Sequence, residues 1–127
     1  EGKIVICDRF FDSTLAYQGY GLGIEIKDIK YIGDFATSGV KPNLTIFLDL
    51  PVRRGLTYRK FSKDRIERRS LAYHSRVREG YLKLAYLEPK RIKIVKVDRD
   101  KNKTQERIRK LISNYLNDKS QNQTFVI

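Results

Sequence analysis

The chain carries its densest set of polar groups in one short stretch, directly after an apolar run. Residues 8–21 read DRFFDSTLAYQGYG. Arg9 offers a planar fork of N–H donors that matches the oxygens of a phosphate. Within the next two helical turns follow two hydroxyls, a phenol ring and an amide, carried by Ser13, Thr14, Tyr17 and Gln18. Recognition of a phosphate and of a nucleobase both need groups of these kinds.

The elements around this stretch predict how the groups are presented. An apolar, β-branched run at residues 4–7 predicts a buried strand over 3–7. Asp8–Arg9 would then lie at the carboxyl edge of a parallel sheet, where ligands bind in open α/β folds. Residues 13–20 predict a helix, on which positions four apart share a face. The structural alternatives are an Asp8–Arg9 ion pair, a hydroxyl-rich helix cap and a Tyr17 ring packed in the core.

Strand and helix patterns alternate along the rest of the chain. They predict a helix at 29–37, a strand at 44–50, helices at 52–59 and from Ile66 to Pro89, a strand at 91–97 and a last helix with Thr104 as its N-cap. This order predicts an α/β fold with a three-layer parallel sheet and helices on both faces. The three strands end at Asp8, Asp49 and Asp98, which indicates either a shared ligand edge or three structural carboxylates.

Composition limits the class of protein. A chain of 127 residues is one domain, and its formal net charge of +12 favours anionic partners. Of the 27 lysines and arginines, 21 lie between Arg53 and Lys110. The single cysteine, Cys7, is expected in the core and suits a reducing cytosol, and the single histidine, His74, is expected to be a surface or packing residue. No apolar run approaches the ~20 residues of a membrane span.

Four segments, in this order, resemble one known family. DRFFDSTLAYQG, PNLTIFLDLPVRRGLTYR, KDRIE and YLKLA are similar to segments of the thymidylate kinases, in the P-loop group of nucleoside monophosphate kinases. The match is to the C-terminal three-fifths of a typical member. The resemblance implies residues 1–117 of one nucleotide-kinase domain with a P-loop NTPase-like fold, a basic lid at about 53–70 and a polar tail at 118–127.

The resemblance also implies an incomplete sheet. The sequence contains no G-x-x-x-x-G-K-[ST] phosphate-binding loop, whose strand lies in the middle of the family's sheet. We therefore expect that the biological molecule is longer, or that another chain supplies the missing part. The 127 residues alone are expected to show no ATP-dependent phosphorylation.

For the complete site, the resemblance implies transfer of the γ-phosphoryl group of ATP to dTMP, which gives dTDP for dTTP synthesis. Arg9 would contact the acceptor phosphate and act in catalysis, and Asp8 would hold Mg²⁺ through water. Thr14 and Gln18 would contact the thymine ring. Ser13 would lie near the nucleotide phosphate, and Tyr17 under the sugar.

The resemblance further assigns catalytic arginines to the lid. Arg59 is the first candidate and Arg65 the second, and an arginine supplied at the transition state can contribute about 10³–10⁵ in rate. Lys60 and Lys63 fit the same basic lid, and Asp64 and Glu67 would organise the arginines. The alternative for each residue is a solvated helix face.

The resemblance predicts a cytoplasmic homodimer, with the helix at 29–37 in its interface. Two other functions stay open: a basic nucleic-acid-binding module and an inactive kinase-like fragment. The net charge supports the first, but no recognition motif appears and the tyrosines fall at helical core spacing, so nucleic acid is the less favoured partner.

Overall fold

Two parallel strands form the centre of the fold. The computed structural model describes residues 3–57 and 69–121. Strand β1 (Thr45–Asp49) pairs in parallel with β2 (Ile92–Lys96), with Thr45 opposite Ile92 and Asp49 opposite Lys96. Both strands are five residues long and only partly buried, since Leu48 in β1 and Ile94 in β2 are 47% and 44% exposed. The parallel α/β class is confirmed.

Helices connect and cover these strands. In chain order they are α1 (Phe11–Thr14), a π-helix called π1 (Leu15–Gly21), α2 (Ile26–Ala36), α3 (Val52–Thr57), α4 (Leu71–Leu87) and α5 (Lys101–Gln121). Helix α4 packs against π1, α3 and β2, and α5 packs against β2. None of the helices in the described part of the chain is both long and apolar enough to cross a membrane.

The core lies between π1, α4 and the strands, in two adjoining clusters. The first joins Leu15, Ile29, Leu84, Ala85 and Ile92, with Phe11, Tyr20, Ile26 and Phe47 against it. The second joins Ala16, Tyr73 and Val77, with Tyr17 and Tyr81 against it. The candidate segment, residues 8–21, therefore has one side buried against α4.

The predicted strand at 3–7 does not form. Residues 3–7 have no strand partner among the described residues, and the side chains of Ile4, Val5 and Ile6 are 72%, 86% and 93% exposed. A strand needs a neighbour to pair its backbone groups, which local β propensity cannot supply. The prediction of a core Cys7 is wrong for the same reason, because Cys7 is exposed.

Three predictions about helices also need correction. Helix α5 begins at Lys101, so Thr104 is not its N-cap; Asp100 accepts the backbone N–H of Asn102 at 2.9 Å instead. The spacing of Ile29, Ile32, Phe35 and Ala36 predicts one apolar face on α2; Ile29 is buried, but Phe35 is 86% exposed. Tyr86, expected in or near the core, is 84% exposed on α4. Helical spacing identifies a face but not whether another element covers it.

Candidate functional site

Arg9 lies in a strained turn at the start of the candidate site. Its φ of 65° falls in the left-handed region, which residues with a side chain rarely adopt. Its carbonyl accepts a hydrogen bond from Sγ of Cys7 at 3.2 Å. Such strain costs on the order of 1–3 kcal/mol and concentrates at functional sites. The backbone therefore singles out Arg9 independently of its charge.

The guanidinium of Arg9 contacts the ring of Tyr17. Its Nη2 donates to the Tyr17 hydroxyl at 3.0 Å, and its Cζ lies 4.8 Å from the ring centroid. The alternative of an Asp8–Arg9 ion pair does not form, and within the described residues Arg9 has no carboxylate partner. Arg9 is exposed, so its remaining N–H groups can bind an anion.

Tyr17 belongs to a group of aromatic rings. Tyr73 and Tyr81 pack edge-on against it, with centroids 6.5 Å and 6.4 Å away, and Phe47 stacks on Tyr81 at 4.7 Å. Tyr17 is half-buried, so its ring is anchored on one side while its hydroxyl faces Arg9. The core-packing and ligand-binding interpretations of Tyr17 are compatible, because each uses a different part of the side chain.

Ser13 forms a hydrogen bond with Tyr81, one of the rings in this group. It is half-buried. Burial raises the pKa of Tyr81 above its ordinary value, which outweighs the lowering effect of Ser13. Ser13 therefore helps fix the aromatic group, and a role near a nucleotide phosphate stays a prediction.

Thr14 and Gln18 present polar groups on the open side of the segment. Thr14 is exposed at the end of α1, and Gln18 is half-buried in π1. Neither side chain makes a hydrogen bond to the described part of the chain. A hydroxyl and an amide without internal partners can pair with the edge of a nucleobase.

The predicted helix at 13–20 is α-helical only as far as Thr14 and continues as the π-helix π1, which carries Tyr17 and Gln18. The backbone N–H of Leu22 donates to the carbonyl of Tyr17 at 3.1 Å, five residues back. π-Helical turns occur frequently at functional sites. The wider turn means that Thr14 and Gln18 are not stacked as they would be on a regular α-helix.

Glycines allow π1 to lie close to α4. A Cβ on Gly21 would lie 2.8 Å from the side chains of Tyr73 and Val77, and one on Gly80 would lie 2.6 Å from Tyr20. Side chains do not tolerate such distances, so glycine is required for this approach.

A buried ion pair fixes the start of the candidate segment. Nη2 of Arg91 donates to Oδ1 of Asp12 at 2.7 Å, and the Thr45 hydroxyl donates to Oδ2 at 2.8 Å. Burial raises the pKa of Asp12, but the hydrogen bonds from Arg91 and Thr45 outweigh it, so the pKa lies below its ordinary value. Arg91 also pairs with Glu88 at 2.7 Å. This network ties α1 to the beginnings of both strands.

The carboxylates at the strand ends are engaged by arginines. Asp49 is buried and makes a two-pronged pair with Arg78 at 2.7 Å and 3.0 Å. Asp98, after β2, pairs with Arg107 at 3.2 Å. The hydrogen bond to Asp49 raises the pKa of Arg78 above its ordinary value. These ion pairs favour a structural role for Asp49 and Asp98. Asp8, in contrast, is exposed to solvent.

Sequence reasoning missed the arginines that organise the site: Arg76, Arg78 and Arg91. Arg76 donates from Nε and Nη2 to the carbonyl of Gly21 at 3.1 Å and 3.0 Å. All three lie in a strongly basic half of the chain, where position alone does not distinguish them from solvated residues. His74, in contrast, is a packing residue as predicted, edge-on to Tyr73 with centroids 5.4 Å apart.

The predicted lid residues cannot be placed in this geometry. Arg59 and Arg65, with Lys60, Lys63, Asp64 and Glu67, lie outside the described residues. Their roles stay predictions.

Asp8 fits the predicted magnesium ligand in its chemistry. Mg²⁺ is commonly bound through one or two carboxylates, substrate phosphates and several waters. Asp8 is an exposed carboxylate beside an arginine suited to phosphate. The part of the chain that the structure describes holds no cluster of three or more metal-binding side chains, so Asp8 would act with water and phosphate.

Comparisons with known proteins point to one family. The thymidylate kinase family model matches residues 1–108. The chain is 46% identical over 117 residues to the thymidylate kinase of Symbiobacterium thermophilum, covering 91% of this chain and 55% of that protein. It is 42% identical over 125 residues to that of Syntrophotalea carbinolica, covering 92% of this chain and 58% of that protein.

A solved structure agrees. The crystal structure of thymidylate kinase from Ehrlichia chaffeensis matches with a TM-score of 0.63 and 30% identity, covering 87% of this chain and 49% of that one. The chain thus spans about half the length of these relatives. On its fold, its motifs and its extensive identity to these enzymes, the chain belongs to the thymidylate kinase family.

Proposed function

We propose that residues 1–127 carry the acceptor half of a site that transfers the γ-phosphoryl group of ATP to dTMP, forming dTDP. The supporting observation is the Arg9–Tyr17 pair, in which a strained turn holds a guanidinium against an anchored ring at 3.0 Å. Family membership gives the pair its substrate. The activity is proposed for these residues together with a phosphate-binding loop.

The acceptor nucleotide would lie along α1 and π1. The free N–H groups of Arg9 bind the phosphate of dTMP, and the ring of Tyr17 lies under the sugar. Thr14 and Gln18, whose side chains have no hydrogen-bond partner among the described residues, contact the thymine ring, and Ser13 lies near the phosphate while it hydrogen-bonds Tyr81. An anchored ring beneath the sugar would disfavour a ribose 2′-hydroxyl.

Phosphoryl transfer here needs positioning and charge neutralisation rather than a general base, because the acceptor phosphate is already an anion. Arg9 would keep the acceptor oxygen in line with the γ-phosphorus of ATP. Mg²⁺, held through water by Asp8, would neutralise charge on the phosphates when bound. Arg59 and Arg65 would add positive charge at the transition state.

We further propose that the protein works as a cytoplasmic homodimer. The face of α2 that bears Tyr31, Ile32 and Phe35 supports this, since these side chains are 80%, 65% and 86% exposed. Exposed apolar patches of this kind mark protein interfaces. The lone cysteine suits a reducing compartment.

A chimaera tests the activity. Residues 1–127 are joined to the part of the Symbiobacterium thermophilum thymidylate kinase that the match leaves uncovered, and transfer from γ-labelled ATP to dTMP is measured. We expect labelled dTDP, and Arg9→Ala to lower kcat/KM roughly 10²-fold or more, as loss of a charge-stabilising donor does. Arg109→Ala, an exposed arginine on α5, serves as the matched control and should leave the rate unchanged. Equal rates for Arg9→Ala and the control would refute the assignment.

A further inference from the structure

Two side chains of α4 hold the backbone of π1 at its carbonyl groups. The Tyr73 hydroxyl donates to the carbonyl of Tyr17 at 3.4 Å. Arg76, three residues further along α4, donates from Nε and Nη2 to the carbonyl of Gly21 at 3.1 Å and 3.0 Å. The helix that carries the candidate nucleotide-binding side chains is thus held by a neighbouring helix at its middle and at its end.

The carbonyl of Gly21 is a group that needs such a partner. It lies at the C-terminal end of π1, where carbonyls have no N–H partner within the helix and the helix dipole is negative. A cationic side chain with two parallel donors satisfies both needs at once. Arg76 therefore acts as a C-terminal cap supplied from another element.

The backbone of π1 packs directly against α4 at Gly21. A Cβ on Gly21 would lie 2.8 Å from Tyr73 and Val77, which shows that the backbone already rests on these side chains. Arg76 itself is exposed, so its replacement opens no cavity in the core. Its contact can therefore be removed while the packing that supports the fold is kept.

From this arrangement we infer that Arg76 is a positioning residue for the acceptor nucleotide. By fixing the carbonyl of Gly21, it holds the π-helical turn that sets where Tyr17 and Gln18 meet the ligand. Arg76 has no described contact with Arg9, Thr14 or Gln18, so it acts through the backbone. The inference rests on the proposed function, because it assumes that dTMP binds along π1.

The test compares three variants of the 127-residue chain. Arg76→Met removes both donors and keeps an unbranched stem, Arg76→Lys keeps the charge with a single donor group, and Arg109→Met is the matched control on α5. The Kd for dTMP is measured by calorimetry, and amide exchange is followed at Leu22, Gly23 and Ile24. These amides donate to carbonyls of π1 at 3.1, 2.7 and 3.2 Å.

We expect Arg76→Met to raise the Kd for dTMP roughly tenfold, because binding must then order a turn that Arg76 holds in place in the wild-type chain. Exchange at the three amides should quicken, while amides of β1 and α5 stay protected. Arg76→Lys should recover part of both effects, and the control should match the wild-type chain.

The outcomes separate the two proposals. If the wild-type chain binds dTMP and Arg76→Met binds it equally well, the positioning role is refuted and the proposed function stands. If protection falls evenly across the chain while the Kd per folded molecule is unchanged, Arg76 is merely structural and the inference is again refuted. If Arg76→Met does not fold, Arg76→Lys decides by the same two readouts. Absence of dTMP binding by the wild-type chain would overturn the proposed function, and the positioning role with it.

Discussion

At the scale of single residues, Arg9 is recognisable from sequence but its partner is not. An arginine after an apolar run predicts a phosphate contact through its chemistry. Its hydrogen bond to Tyr17, eight residues away, depends on a turn with φ of 65°. Composition and spacing carry no signal for a strained dihedral angle. The roles proposed for Thr14 and Gln18 come from the family resemblance, and both side chains are without hydrogen-bond partners in the described part of the chain.

Removing the Tyr17 hydroxyl tests this pair. Tyr17→Phe keeps the ring but frees the Arg9 guanidinium, and a hydrogen bond to a charged group contributes about 1.5–3 kcal/mol. We expect the Kd for dTMP to rise about tenfold, which corresponds to about 1.4 kcal/mol. Tyr86→Phe, which alters an exposed tyrosine of α4, is the control for calorimetric titration. If Tyr17→Phe and Tyr86→Phe bind dTMP with equal affinity, the Tyr17 hydroxyl has no role in binding the acceptor.

Asp12 makes the stability of the fold sensitive to acid. Its pKa is lower in the folded chain than the unfolded value of about 3.9, so the carboxylate stabilises the fold above that value. This contribution is lost as the pH falls through the lowered folded-state pKa. We expect the difference in free energy of unfolding between the wild-type chain and Asp12→Asn to shrink below about pH 4. Urea titrations at several pH values measure it, and a constant difference would contradict the account.

At the scale of elements, sequence patterns predict where helices and strands can form, and tertiary contacts decide which strands pair and which helix faces are covered. β1 and β2 form where their apolar runs predict, each within about two residues at either end. The run at 3–7 is also rich in β-branched apolar residues but forms no strand, because pairing requires a neighbour. The sequence pattern predicts an ordinary helix where π1 lies, because the wider turn of a π-helix depends on contacts from α4. Helix α2 bears exposed apolar side chains, and the periodicity of the sequence does not show which element or molecule covers them.

The close approach of π1 and α4 gives an element-scale prediction. Gly80→Ala would place a Cβ 2.6 Å from the ring of Tyr20, so one helix must move. We expect a loss of about 1–3 kcal/mol in free energy of unfolding, typical of overpacking. Gly55→Ala in α3 is the control, since its Cβ would meet nothing nearer than 3.4 Å. Chemical denaturation compares the two, and equal stabilities would mean that Tyr20 moves aside freely.

At the scale of the whole molecule, most of the positive charge and the candidate acceptor site lie in different parts of the chain. Most basic residues follow Arg53, whereas the candidate acceptor residues lie before Leu22. Several of these arginines make hydrogen bonds within the chain: Arg76 caps π1, Arg78 forms an ion pair with Asp49, and Arg91 forms one with Asp12. The net charge of +12 therefore overstates the charge free to bind a polyanion, which the sequence alone could not reveal.

Salt dependence separates the two classes of partner. A nucleic-acid-binding protein with 6–10 phosphate contacts loses about 10³–10⁵ in affinity between 50 and 200 mM salt. We expect dTMP binding, which involves one phosphate, to weaken only a few-fold over this range. Parallel titrations with dTMP and a single-stranded oligonucleotide measure it. Tighter, steeply salt-dependent binding of the oligonucleotide would favour the nucleic-acid-binding module.

The most direct test of the acceptor half is a titration of the ¹⁵N-labelled chain with dTMP, followed residue by residue. The account predicts saturable shifts centred on Arg9, Thr14, Tyr17 and Gln18, lost in Arg9→Ala and kept in Arg109→Ala. Absence of saturable shifts, shifts confined to the basic helix α5, or undiminished binding by Arg9→Ala would contradict it.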